Sequence, residues 1–263
     1  MFKNAKSFNL WALILLTLGF IAHIVLPTHL FISNLLFLAA AATHSYMIWG
    51  GKRTASYIIL AMLIGYSAEF IGINTGVVFG SYYYNPNNPL MIFGVPLFIP
   101  VAYGYLVYAG NLLCVAISKR FLIKSNLWLL AALSGFILTL KDVVTDPIHS
   151  TIHSEWIWRM GGSYFGVPIH NFIGWFFVYA IMTLVTVSLS WHLKGLSTKI
   201  KIDKILLRFP VLLFSTVIFL GMLSCFVQPE KYKDIASVGA FMSVFAVGPY
   251  ILLAWFNTFK KES

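Results

Sequence analysis

Charge is what this sequence has least of. Only 10% of its 263 residues are Asp, Glu, Lys or Arg, against roughly 25% in a soluble globular domain. The chain is 59% apolar and its mean hydropathy is +0.84, which excludes a water-soluble globule. Cysteine is nearly absent as well. Cys114 and Cys225 both fall inside apolar runs and no Cys-x-x-Cys pair occurs, so a disulfide framework is excluded. There is no glycine-rich phosphate loop, no Gly-x-Ser-x-Gly elbow and no dinucleotide fingerprint, so nucleotides and redox cofactors find no support and no cofactor is expected. Short alternating segments of the kind that build a membrane barrel are missing too.

What is present is a succession of apolar runs, each near the roughly 20 residues a helix needs to cross a bilayer. They predict spans over 9–27, 31–50, 55–73, 92–117, 126–145, 169–192, 207–227 and 236–258. The expected fold is all-α: a polytopic transmembrane bundle of about eight helices, forming one integral membrane domain over 1–263. The first run follows Lys3 and Lys6 but continues to about Leu26 without a small-residue cleavage site, so it reads as a retained helix and not a signal peptide.

The net charge of +10 would suggest nucleic acid as a partner for a soluble domain. Its distribution argues otherwise. Lys3 and Lys6 precede the first span, Lys52 and Arg53 follow the second, and Lys119, Arg120 and Lys124 follow the fourth. Lys194, Lys199, Lys201, Lys204 and Arg208 follow the sixth, and Lys260 and Lys261 close the chain, which makes fourteen of the eighteen cations. Lys141, Arg159, Lys231 and Lys233 fall on the other side. That asymmetry predicts a multi-pass protein of the cell membrane with both termini cytoplasmic, surrounded by lipid and binding no nucleic acid. Nothing in the pattern fixes an oligomeric state.

Two long segments, about 74–91 and 142–168, are left on the external side. The first is uncharged and turn-rich, and runs Gly80-Ser81-Tyr82-Tyr83-Tyr84-Asn85-Pro86, the composition of an interfacial loop. The second carries Asp142, Asp146, His149, His153, Glu155, Trp156 and Trp158. In and just after these segments short words recur: Phe93-Gly94-Val95-Pro96 returns as Phe165-Gly166-Val167-Pro168, and Gly80-Ser81-Tyr82 as Gly162-Ser163-Tyr164. Repeated halves of membrane proteins often meet at a binding site. The competing reading is a chance likeness of two helix starts, with Pro96 and Pro168 in first turns.

Glu69 lies near the outer end of the third span. An intramembrane carboxyl is a functional site by default, and a poorly solvated one keeps a proton to donate. The alternative is a hydrogen bond to a neighbouring helix or tyrosine. Asp142, Asp146, His149 and His153 are spaced 4, 3 and 4 apart, one face of a continuous helix. Asp146 precedes Pro147 and so also reads as a helix N-cap; Asp142 has no such explanation. Two carboxyls in a dry place tend to separate into an acid and a base. His149 and His153 with a carboxylate form a lesser, metal-binding alternative. The other histidines (His23, His29, His44, His170, His192) are scattered, and no metal is expected. The aromatic residues Tyr82 to Tyr84, Trp156, Trp158, Tyr164 and Trp175 suit an interfacial belt, and equally the wall of an apolar pocket able to stabilise a cation.

Two stretches carry a resemblance. One is Glu69-Phe70-Ile71-Gly72-x-x-Thr75-Gly76-x-x-Phe79-Gly80-x-Tyr82-x-Tyr84, followed by Phe93-Gly94-Val95-Pro96-Leu97. The other is Asp142-x-x-x-Asp146-Pro147, then Trp156-x-Trp158 and Gly162-x-Tyr164-Phe165-Gly166-Val167-Pro168-x-x-Asn171-Phe172-x-Gly174-Trp175. Over about residues 65–180 the chain resembles the membrane carotenoid biosynthesis protein family, which includes acyclic carotenoid hydratases. The resemblance implies water addition to the terminal double bond of an acyclic carotenoid, such as lycopene or bisanhydrobacterioruberin, drawn from the lipid phase without a cofactor. Glu69, Asp142 and Asp146 would then be the catalytic set. Tyr82, Tyr84, Tyr164 and Asn171 would hold water or a carboxyl proton, and Trp156, Trp158 and Trp175 would flank the polyene end. Lys141 and the histidine-rich 149–153 stretch depart from the family pattern. Two other classes compete: a transporter or channel using Glu69 and the aspartates as an ion path, which would spread polar groups through the membrane depth, and a non-catalytic carotenoid- or lipid-binding subunit.

Overall fold

The structure, a computed structural model, describes residues 5–26, 30–118, 126–192 and 204–259. The helices are α1 (Ala5–Val25), α2 (Leu30–Trp49), α3 (Gly51–Thr75), α4 (Phe98–Ile117), α5 (Leu127–Asp146), α6 (Ile169–His192), α7 (Lys204–Phe226), α8 (Lys233–Met242) and α9 (Gly248–Phe259). A π-helical turn, Ser243–Val247, joins α8 to α9, so these two form a single apolar length. Seven helical lengths are long and apolar enough to cross a membrane, and α1 adds the shorter apolar stretch Asn9–Val25. The expected polytopic bundle is there. His29 and most of the cation-bearing loops lie outside the described residues.

α4 is the axis of the bundle. Of its spanning window 89% is buried, against 22–44% in the other six. It packs against α2, α3, α5, α7 and α9. Its last carbonyls, those of Ala116 and Ile117, accept hydrogen bonds from Asn257 Nδ2 of α9 at 3.0 and 2.9 Å, which answers the orphaned acceptors of a helix end. Deeper along α4, Asn111 accepts from Ser134 of α5 at 2.5 Å and Thr183 of α6 at 2.9 Å, and donates to Tyr57 of α3 at 2.5 Å. Polar groups are therefore found along the depth of the bundle and not at one face alone. This deeper set is neutral and internally satisfied.

At the opposite end, four short strands replace the expected irregular loops: β1 (Tyr82–Tyr84), β2 (Met91–Ile92), β3 (Val95–Pro96) and β4 (Trp156–Trp158). β1 and β4 pair antiparallel, Tyr82 opposite Trp158 and Tyr84 opposite Trp156, joining the two long connections into one ribbon. The repeated Phe-Gly-Val-Pro words adopt one conformation twice. Phe93 and Gly94 have φ of 45° and 83°, and Phe165 and Gly166 have 49° and 86°. Both central residues are left-handed, as in the tight hairpin turn that favours glycine second. Ile92 bridges Val95 in one copy and Tyr164 bridges Val167 in the other. The prolines end these turns; α4 begins at Phe98 and α6 at Ile169, so Pro96 and Pro168 precede their helices and do not sit in the first turns.

Asp146 is not a cap. It has helical φ and ψ of −61° and −43°, and its side chain makes no capping bond. α5 runs through it into a π-helical extension, Pro147–Ile152. Pro147 lacks an N–H, and widening the helix relieves its clash with the preceding turn. The side chain of Asp146 is thereby left free for other work.

Candidate active site

Glu69 of α3 and Asp142 and Asp146 of α5 line one cavity of about 80 Å³. Their exposures are 2%, 2% and 4%. A space of this size accommodates a few water molecules. The period-two alternation of strands sends Tyr82 and Tyr84 of β1 into the cavity together with Trp156 and Trp158 of β4, while Tyr83 faces out under the Arg159 guanidinium, 5.1 Å from its ring. Tyr103 of α4 and Asn171, Trp175 and Tyr179 of α6 complete the wall. Trp175 is the centre of the aromatic packing, stacked on Phe79 at 4.2 Å and on Tyr179 at 5.1 Å.

Each carboxyl has a different setting. Both oxygens of Glu69 accept hydrogen bonds, Oε2 from the Tyr82 hydroxyl and Oε1 from the Tyr103 hydroxyl. Tyr103 reaches Glu69 because Gly65, one turn earlier on α3, has no side chain in the way; a Cβ there would run into the Tyr103 ring. Asp146 Oδ2 accepts from Asn171 Nδ2 at 2.5 Å. Asp142 Oδ1 pairs with Lys141 Nζ at 2.5 Å, and Lys141 itself lines the cavity. Burial, and then the neighbouring Glu69, push the phenols of Tyr82 and Tyr84 well above their ordinary range, so both remain hydrogen-bond donors.

Three buried polar atoms of the lining, Asp142 Oδ2, the Tyr179 hydroxyl and Trp158 Nε1, lack a hydrogen bond of good geometry, and the Tyr179 hydroxyl stands close enough to the Asp142 carboxyl to interact with it. They offer an acceptor, a hydroxyl able to act either way, and a donor. Buried polar atoms seldom go unmatched, and this trio is complementary to a small polar reactant such as water.

Nine of the ten anticipated site residues meet in this cavity; Tyr164 does not. It is half-buried, donates its hydroxyl to the Val143 carbonyl at 3.1 Å, and packs against Phe165 and Phe172. His149 and His153 also lie outside the lining. His149 Nδ1 is 3.0 Å from Glu155 Oε1 and its ring stacks on Trp156. Among the described residues, no group of three His, Cys, Asp or Glu side chains is placed to hold a metal ion. Tyr103, Tyr179 and Lys141 were not anticipated. Tyr179 carried a readable signal, because Asn171, Trp175 and Tyr179 recur every fourth residue and so share a face of α6.

The profile of the family described as carotenoid biosynthesis protein matches residues 29–245. The chain is also similar to a bisanhydrobacterioruberin hydratase of Haloarcula japonica, 27% identical over 135 residues, which is 51% of this chain and 45% of the relative. The match thus covers less than half of that relative's length. No solved structure matches. With the family profile covering most of the chain, and with all three carboxyls inside the matched region, the chain belongs to the carotenoid biosynthesis protein family.

Proposed function

We propose that the protein hydrates the terminal double bond of an acyclic carotenoid end group. The observation that carries this reading is the gathering of Asp142 Oδ2, the Tyr179 hydroxyl and Trp158 Nε1, all buried, among three buried carboxyls and stacked aromatic rings. Two carboxyls one helical turn apart in a dry cavity do not both ionise. Lys141 holds the negative charge on Asp142, which leaves the shared proton on Asp146. Asp146 gives that proton to the less substituted carbon of the alkene, and the π pair becomes the new C–H bond. The resulting tertiary carbocation faces the ring of Trp175 and the carboxyl oxygens of Glu69, both suited to a developing positive charge. Water held by Tyr179 and Trp158 attacks the cation and loses a proton to Asp142 as the C–O bond forms. Transfer of that proton to Asp146 restores the starting state, so the net change is addition of one water.

Expression in a host that accumulates lycopene tests this, with bisanhydrobacterioruberin as a second substrate. The expected product is a tertiary alcohol heavier by one water for each end that reacts. Asp142→Asn, Asp146→Asn and Glu69→Gln are each expected to lose product by roughly 10²- to 10⁴-fold, the scale of one acid–base group, while still inserting in the membrane. Unchanged pigment with both substrates from well-inserted protein would overturn the hydratase reading, and full activity in all three variants would overturn the assignment of the site.

A further inference from the structure

A second and larger hollow lies behind the first, on the outer surface of the seam between α3 and α6. It has a volume of about 560 Å³ and an almost wholly apolar lining. Its floor is made of small side chains, Ala68 of α3 with Gly174 and Val178 of α6. Ile71, Ile173 and Phe177 form its banks and are exposed to the membrane. Gly174 lets the chain after α3 lie directly against α6, since a Cβ there would meet the Val78 carbonyl.

The groove and the carboxyl cavity stand back to back. Ala68 faces the groove and Glu69 the cavity. Val78 and Phe79, Gly174 and Trp175, and Val178 and Tyr179 divide in the same way. The stacked rings of Phe79 and Trp175 stand in the partition. A cavity of about 80 Å³ admits the end of a long isoprenoid but not its length. The groove falls in the roughly 300–1,000 Å³ range of small-molecule sites, is apolar, and begins one side chain away.

We infer that this groove is a binding site for the polyene chain of an acyclic carotenoid, whose end group reaches the carboxyls when the rings of Phe79 and Trp175, in contact in this structure, part. The identity of that end group rests on the hydratase reading; the seating of the chain in the groove does not.

The test uses the full-length protein in nanodiscs containing lycopene. A photoactivatable benzophenone amino acid is placed at Ser67, an exposed groove position, and separately at Leu252, which is 58% exposed on α9. The expected result is lycopene adducts at Ser67 several-fold above those at Leu252. Equal labelling, or phospholipid adducts at Ser67 that lycopene does not displace, would show an ordinary lipid-facing surface and overturn the inference. Kinetics supply a second readout. Ser67→Trp and Ile173→Trp narrow the groove and are expected to raise KM for lycopene by roughly tenfold or more, the scale of an obstructed apolar contact. The same variants should leave kcat, and turnover of a short isoprenoid with the same terminus, little changed; an unaltered KM for lycopene in both would also count against the groove. Selective labelling without hydration of either lycopene or bisanhydrobacterioruberin by the wild-type protein would remove the hydratase reading and leave the groove standing, and hydration without selective labelling would do the reverse.

Discussion

Glu69 owes its place to two phenols that arrive from different elements, Tyr82 from the ribbon and Tyr103 from α4. Asp142 is held by a lysine next to it in sequence, 2.5 Å away. That difference makes Lys141 the most informative single position. Replacing it in Lys141→Met leaves Asp142 without a counter-ion, and a lone buried charge is costly enough that the group takes up a proton instead. The expected result is loss of the general base and a fall in product of roughly 10²-fold or more, with Lys141→Arg recovering much of it; pigment analysis of the two variants side by side decides. A Met variant as active as the wild type would move the base elsewhere. The three carboxyls were legible in the sequence because an acid in an apolar run is costly and stands out, even where, as for Glu69 and Asp146, a structural role was also open. Tyr103 was not, since tyrosine is unremarkable in a membrane helix and nothing local reveals that Gly65 leaves room for it.

Among elements, the β1–β4 ribbon is the least predictable and the most consequential. Three-residue strands are shorter than any window in which a period of two can be recognised, so Tyr82 to Tyr84 and Trp156 to Trp158 read as interfacial aromatics. Only the strand pairing separates Tyr83 from its neighbours. Tyr83→Ser is expected to change hydration less than twofold, as most exposed substitutions do, whereas Tyr82→Phe removes the donor to Glu69 Oε2 and should lower product formation at least tenfold. Assaying the two variants at matched expression tests the alternation, and equal effects would contradict it. The Phe-Gly-Val-Pro echo was visible as a repeated word; its meaning as a left-handed turn made twice was not, because a phenylalanine seldom adopts positive φ. Pro147 misled for a related reason. An Asp-Pro pair is a frequent helix start, and a π-turn that lets a helix continue past it leaves no mark in the sequence.

At the scale of the whole molecule, hydropathy located the spans well, since burial of backbone in lipid leaves little choice but helix. Orientation rests on the positive loops, and predicts that an impermeant thiol reagent applied to intact cells labels Asn87→Cys but not Ser263→Cys. Cys114 and Cys225 are buried, so the native thiols should stay silent; the opposite labelling pattern would invert the topology. The bonding of the acids also has a bearing on how the chain is made. Glu69 takes its donors from 13 and 34 residues further on, and Asp146 takes its donor from 25 residues further on. As synthesis proceeds, Glu69 can therefore meet both its donors before the second strand of the ribbon is made, whereas Asp146 gains its donor only after that strand. Neither half has to wait for the other with an unmatched carboxyl in lipid, and the cavity is complete only when the second half, as far as α6, docks against the first.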